Sequence, residues 1–237
     1  MSFALLLLPV ALPVLFWVAY HLHVDRRLPE PPGHLLLAFA LGVVSFYLGI
    51  GGYRLLGVLG LRYDAFLLAE TNLPGLLLFS VLGIGVIEET AKLIPFLLVV
   101  LRFREFDEPI DGIVYASFIA LGFSALENFQ YLQFMSPGAA YARGFAGPVV
   151  HMVFASIWGY YIGRAWLRGH HRVRAVLGSV GFAVVLHGVY DFVVIGFPEP
   201  GLPLAAALIV GLWVWRLFLI RDLHATWGES EGGRPRT

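Results

Sequence analysis

The sequence predicts an all-α, polytopic transmembrane helical bundle of about seven spans. Of its 237 residues, 59% are hydrophobic and only 14% charged. Mean hydropathy is +0.79, and the apolar residues fall in long runs parted by short polar or proline-containing breaks. A hydrocarbon core about 30 Å thick takes about 20 helical residues to cross, so the chain has room for roughly six to eight crossings. Such a composition lies outside that of an ordinary soluble domain.

In chain order the runs cover residues 3–20, 34–53, 73–101, 110–133, 147–167, 175–195 and 202–220. The first has no basic residue ahead of it and no small-residue cleavage pattern after Val18, so it reads as a permanent helix and not a signal peptide. Between the second and third, residues 54–72 mix Leu55, Leu56, Leu59, Phe66, Leu67 and Leu68 with Arg62, Asp64 and Glu70, the pattern of an interfacial amphipathic helix. The chain thus reads as one transmembrane domain over 1–222 and a flexible cytoplasmic tail over 223–237.

Basic residues set the expected orientation, because cytoplasmic loops carry the excess of Lys and Arg. One side collects Arg26, Arg27, Arg102, Arg104, Arg164, Arg168, Arg172, Arg174, Arg216, Arg221, Arg234 and Arg236, the other only Arg54, Arg62 and Arg143, while Lys92 lies inside the third run. The N-terminus is expected outside and the C-terminus inside. The basic stretch 164–174 reads as a cytoplasmic loop with no further role. A net charge of zero gives no sign of nucleic-acid binding, and the absence of cysteine excludes disulfides, thiolate metal sites and a cysteine nucleophile.

Against this apolar background a few ionisable groups stand out: Glu88-Glu89-x-x-Lys92, Glu127-Asn128, His151 and His187-x-x-x-Asp191. A charge at the bilayer centre costs about 2.5–3.5 kcal/mol on insertion scales, so several of them imply a use. On the expected topology they share the middle and outer part of the membrane. Lys92 is one turn on from both glutamates, and His187 and Asp191 share a helix face. Glu127 has no cation nearby in sequence, so its partner is expected from another helix.

These groups fit amide hydrolysis by activated water, which needs a base, donors for the developing oxyanion and an acid for the leaving amine. His151, His187, Glu127 and Asp191 are also a zinc-type donor set, while the glutamate-base reading needs no cofactor. Ser80, Ser117, Ser124, Ser156 and Ser179 lack a nucleophile-elbow pattern, and helical hydroxyls usually bond their own backbone. The His-Glu-x-x-His pattern is missing. Gly49-Ile-Gly51-Gly52 and Gly83-Ile-Gly85 lie in apolar runs, where small residues serve close helix approach and not phosphate binding. Pro95 is expected to bend the third run, and His21, His23, His34, His170 and His171 are expected at interfaces. Two other functions share these features: a non-catalytic membrane scaffold and a proton-coupled transporter, although no internal repeat favours the latter.

Taken together, Asp25-Arg-Arg-Leu-Pro-Glu30-Pro, Glu88-Glu89-x-x-Lys92, Asp111-Gly112-Ile-Val-Tyr115, Gly122-Phe123-x-x-x-Glu127-Asn128, His151 and His187-Gly188-x-Tyr190-Asp191 resemble the PrsW family of intramembrane proteases, in order from about residue 20 to 195. That family is related to the CAAX prenyl endopeptidases and to the non-proteolytic scaffold subunit of gamma-secretase. The resemblance implies Glu88 as general base, tuned by Glu89 and supported by Lys92. Glu127 stands where the CAAX enzymes carry histidine. His151 and His187 are implied in oxyanion stabilisation or leaving-group protonation, with Asp191 orienting His187 and Asn128 in support. It further implies a multi-pass protein of a bacterial or archaeal cell membrane, surrounded by lipid. The implied substrate is a transmembrane or membrane-proximal protein of anti-sigma-factor type, cut on the extracytoplasmic side. Leu28-Pro29-Glu30-Pro31 departs from the family pattern by lacking a second acid before the proline, a difference expected to affect only loop docking.

Overall fold

A computed structural model describes residues 3–24, 29–132 and 134–230, and every regular element among them is helical. The chain is an all-α membrane protein. The helices are α1 (Phe3–Val24), α2 (Pro32–Val58), α3 (Ala65–Thr71), α4 (Leu73–Phe79), α5 (Val86–Leu98), α6 (Pro109–Leu132), α7 (Pro137–Arg168), α8 (Arg172–Gly196) and α9 (Leu202–Ser230). Expectations for Asp25, Arg26, Arg27, Leu28 and residues 231–237 lie outside the described residues.

Local sequence sets most of the helix ends. Pro32 opens α2, a position where its missing N–H costs nothing. Gly60, at φ 68°, closes the same helix. The N–H of Leu61 donates to the Leu56 carbonyl at 2.8 Å and that of Gly60 to Gly57 at 3.1 Å, the paired bonds of a Schellman cap. Asp64 then caps α3 by accepting from Phe66 N (2.9 Å) and Leu67 N (3.2 Å). The expected single helix over 54–72 is therefore divided into the last turn of α2, a turn and α3. Ser136 caps α7 ahead of Pro137.

Helices α2, α6, α7, α8 and α9 are each long and apolar enough to cross a bilayer, and Leu7–His23 of α1 is a shorter apolar helix. Residues 73–98 form one unbroken helical run in which Ser80–Gly85 is π-helical between α4 and α5. Helix α5 continues through Pro95 to Leu98. The π segment, not foreseen in the sequence, lies just before the twin glutamates. Helix α9 continues to Ser230, into the stretch expected as tail.

Helix α6 is the centre of the bundle: 89% of its apolar window is buried, against 17% for α9. It touches α1, α2, α5, α7 and α9. Ile113, Val114, Phe118, Ile119 and Leu121 make it apolar on all sides, as a surrounded helix must be. Inside a membrane, close packing and not apolar transfer holds helices together. A Cβ on Gly112 would lie 2.2 Å from the Gly159 carbonyl oxygen, so α6 and α7 approach at glycine on both helices. Gly188 of α8 meets the π segment as closely, its Cβ position falling 2.4 Å from the Val81 Cα.

Three expectations are corrected. Arg216, counted with the cytoplasmic charges, is fully buried. Its Nε donates to Ser156 Oγ (2.8 Å), and its Nη2 reaches Ser117 Oγ (3.2 Å) and His21 Nε2 (2.8 Å). His21, expected at an interface, is buried with it and donates from Nδ1 to the Trp17 carbonyl (2.8 Å). Two hydroxyls and an imidazole thus engage Nε and Nη2 of the guanidinium, while its buried Nη1 has no partner among the described residues. Arg143, counted as an outer-loop charge, lies within α7, which starts ten residues earlier than expected because Ser136-Pro137 is a helix start. Removing both from the count leaves the Lys/Arg asymmetry with the same sign.

Candidate active site

Glu88 and Glu89 sit in the first turn of α5, directly after the π segment, and both are buried. Adjacent helical residues point about 100° apart, so the two carboxylates meet different neighbours. Glu89 is saturated. Its Oε1 accepts from Lys92 Nζ (2.5 Å) and His187 Nδ1 (2.7 Å), and its Oε2 accepts from Trp158 Nε1 (2.9 Å). Glu88 accepts from the Tyr53 hydroxyl at Oε1 (3.0 Å), while its buried Oε2 has no hydrogen-bond partner among the described residues.

Two imidazoles face that open oxygen. His151 Nδ1 stands 4.0 Å and His187 Nε2 3.8 Å from Glu88 Oε2. The far nitrogen of each ring is held by a different carboxylate: His151 Nε2 by Glu127 Oε2 (2.8 Å) and His187 Nδ1 by Glu89. A carboxylate only accepts, so both far nitrogens carry protons. The Lys92 ammonium, 3.2 Å from His151 Nδ1, finds a lone pair there, which fixes the same tautomer from the other side. The His187 ring stacks on Phe154 with centroids 4.9 Å apart.

The remaining residues of the sequence-derived set fall around this core. Glu127 pairs through Oε1 with Arg143 Nη2 at 3.0 Å, so its partners do come from another helix, α7. Asp191 is one turn beyond His187, with Oδ2 3.6 Å from His187 Nε2, and that oxygen has no hydrogen-bond partner among the described residues. Asn128 is buried beside Gly147, and its Oδ1 has no hydrogen-bond partner among the described residues. The donors nearest a common point are Glu88, His151 and His187, whose ligand atoms all lie within 4.8 Å of one another. Glu127, expected in a metal set with His151, His187 and Asp191, is instead engaged with the outer nitrogen of His151 and with Arg143.

Sequence reading missed Tyr53, Trp158 and Arg143. Trp158 is seven residues, about two turns, after His151 and so on its face, and a buried indole N–H needs an acceptor. Tyr53 gave no signal beyond its place at a helix end. Glu30, in the loop before α2, is buried and accepts from the Tyr115 hydroxyl, a contact the sequence did not reveal. Ser117, Ser156 and Ser179 bond the carbonyls four residues back, as expected of helical hydroxyls, whereas the buried Ser80 and Ser124 hydroxyls have no partner among the described residues.

Fold and site together define a class: a multi-pass helical membrane protein enclosing an acid–base centre of the kind that hydrolysis within a membrane requires. The family described as PrsW family intramembrane metalloprotease matches residues 30–220. Among similar proteins, Protease PrsW of Oceanobacillus iheyensis is 27% identical over 209 residues, covering 88% of this chain and 91% of that protein. Protease PrsW of Bacillus subtilis is 31% identical over 183 residues, covering 76% and 78%. Protease PrsW of Clostridioides difficile is 28% identical over 217 residues, covering 89% and 86%. No solved structure matches the chain. The chain belongs to the PrsW family and is an intramembrane protease, which sets aside the scaffold and transporter readings.

Proposed function

We propose that this protease cuts a membrane-anchored protein of anti-sigma-factor type in the outer half of the bilayer, with Glu88 at the reacting centre. The observation that carries the reading is the open Oε2 of Glu88, turned towards two imidazoles in a pocket where every atom of the neighbouring carboxylate is occupied. In this scheme seven segments cross the membrane, α1 and the run 73–98 being counted with the five long helices, and the N-terminus faces out.

On the glutamate-base route, water lies between Glu88 Oε2 and the scissile carbonyl. Glu88 takes its proton as the oxygen attacks the carbonyl carbon. The oxyanion is met by the inward nitrogen of His187 in its protonated form, with Asp191 Oδ2 3.6 Å from that nitrogen. Glu88 then returns the proton to the amide nitrogen as the C–N bond breaks. Glu89, Lys92 and Glu127 act by positioning: they fix ring orientation and leave the inward nitrogens facing Glu88.

A divalent ion also fits these residues. An unpartnered buried carboxylate oxygen and two imidazole nitrogens, each ring backed by a carboxylate, are the donor chemistry of a zinc-type site. Glu88, His151 and His187 would hold it, with Lys92 keeping Glu89 and releasing His151 Nδ1. When bound, such an ion supplies Lewis acidity and acidifies water.

The test is cleavage of a single-pass substrate co-reconstituted in liposomes. Glu88→Gln is expected to lower cutting by roughly 100-fold or more on either route, and cleavage at the parent rate would remove Glu88 from the centre. Treating the parent with a chelator separates the routes: loss of activity restored by added zinc supports the metal, and undiminished activity supports glutamate alone.

A further inference from the structure

At the end of the bundle where α7 turns into α8, a cavity of about 550 Å³ opens between the two helices. Its polar wall holds Arg164, Arg168 and Arg174, and no Asp or Glu lines it. Its other wall is apolar, made by Tyr161, Gly178 and Phe182. The turn itself is tight, with Gly169 at φ 74° and His171 at φ 58°, which brings the last arginines of α7 against the first turn of α8. Arg164 donates to the Tyr160 hydroxyl (2.9 Å), whereas Arg168 and Arg174 form no ion pair among the described residues.

We propose that this cavity binds the headgroup of an anionic phospholipid, with Arg168 and Arg174 on the phosphate and an acyl chain lying along α8. Charge complementarity names the headgroup, since guanidiniums without acidic neighbours match a phosphate. The apolar wall and its continuation name a lipid over a soluble anion. Val173, Leu177, Phe182 and Val185 are all exposed on α8 and together make a broad apolar face that meets lipid tails. Trp166, Tyr160 and Tyr161 stand at the same end, the residue types that settle at headgroup level, and the Arg172 guanidinium stacks 4.1 Å over Trp166. Basic pockets between transmembrane helices are a known physical route to anionic-lipid recognition. Arg164 is thirteen residues from His151 along α7, about 20 Å at 1.5 Å per residue, so this site is separate from the catalytic pocket.

Native mass spectrometry of the full chain in detergent, with phosphatidylglycerol or phosphatidylcholine added, tests this. The parent is expected to retain phosphatidylglycerol in preference to phosphatidylcholine. Arg168→Gln with Arg174→Gln is expected to weaken that retention about twenty-five-fold, from a factor of about five per juxtamembrane arginine. The paired lysine substitutions should keep most of it, and Arg221→Gln, an exposed arginine elsewhere, should change it little. Equal retention of both lipids, or unchanged retention in the double glutamine variant, overturns the proposal. Displacement by millimolar inorganic phosphate also overturns it, marking a soluble-anion site instead. Should the double variant not fold, a phosphatidylglycerol carrying a headgroup photocrosslinker is used on the parent. Adducts confined to residues 161–182 support the site, and adducts spread over the surface sink it.

Discussion

His187 Nδ1 stands 2.7 Å from Glu89 Oε1, so the second glutamate of the twin pair is the one that orients the imidazole of α8. With Lys92 and Trp158 on the same carboxylate, Glu89 ties α5, α7 and α8 together. Its neighbour Glu88 keeps one oxygen without a hydrogen-bond partner among the described residues. On the proposed mechanism, two adjacent residues of the same type divide into a holder and a reactant.

This division is testable by paired substitutions. Glu88→Gln is expected to lower cleavage by roughly 10²–10⁴-fold, the usual weight of a general base, with little change in thermal unfolding. Glu89→Gln leaves the Lys92 ammonium buried without its anion and is expected to cost about 3–5 kcal/mol of stability. Thermal unfolding in detergent alongside the cleavage assay checks both. Equal melting points for the two variants would refute the assignment of roles.

The carboxylates behind the imidazoles predict metal affinity. If an ion occupies the Glu88, His151 and His187 group, Glu127→Gln should weaken zinc binding by roughly 10–100-fold, because Glu127 fixes the outer nitrogen of His151. Zinc titration of the chelator-treated protein provides the measurement. Parent-like affinity in the variant would contradict it.

Close packing at Gly188 positions His187 beside the π segment. Gly188→Ala would put a methyl group 2.4 Å from Val81 Cα, and the backbone must move to admit it. A loss of about 1–3 kcal/mol is expected, as for other overpacked sites, with a fall in activity as α8 is pushed from α5. Gly178→Ala on the same helix meets open space and serves as the control.

The absence of cysteine makes the orientation directly measurable. Single cysteines at the exposed positions Gly138 and His170 should react with a membrane-impermeant maleimide from opposite sides in intact cells. Labelling at Gly138 and not at His170 is expected for the N-out arrangement. The reverse pattern would invert the bundle.

Membership of a helical membrane class follows from the amino-acid sequence alone, because lipid admits few ways to satisfy a backbone and runs of about 20 apolar residues declare the helical one. The ionisable residues were legible for a related reason: Glu88, Glu89, Lys92, Glu127, His151, His187 and Asp191 are costly in an apolar segment, so their presence marks a use. Helix caps at Asp64 and Ser136 were equally local, and the early start of α7 could have been read from Ser136-Pro137. What the sequence left open was which side chain meets which. Tyr53, Trp158 and Arg143 entered the site, Arg216 and His21 withdrew into the bundle, Glu88 came to face the inward nitrogens of both imidazoles, and Glu127 took the outer nitrogen of His151. Those outcomes depend on helix rotation and on close approach at pairs such as Gly112 with Gly159, set by the packing of several helices at once and written in no single stretch of chain.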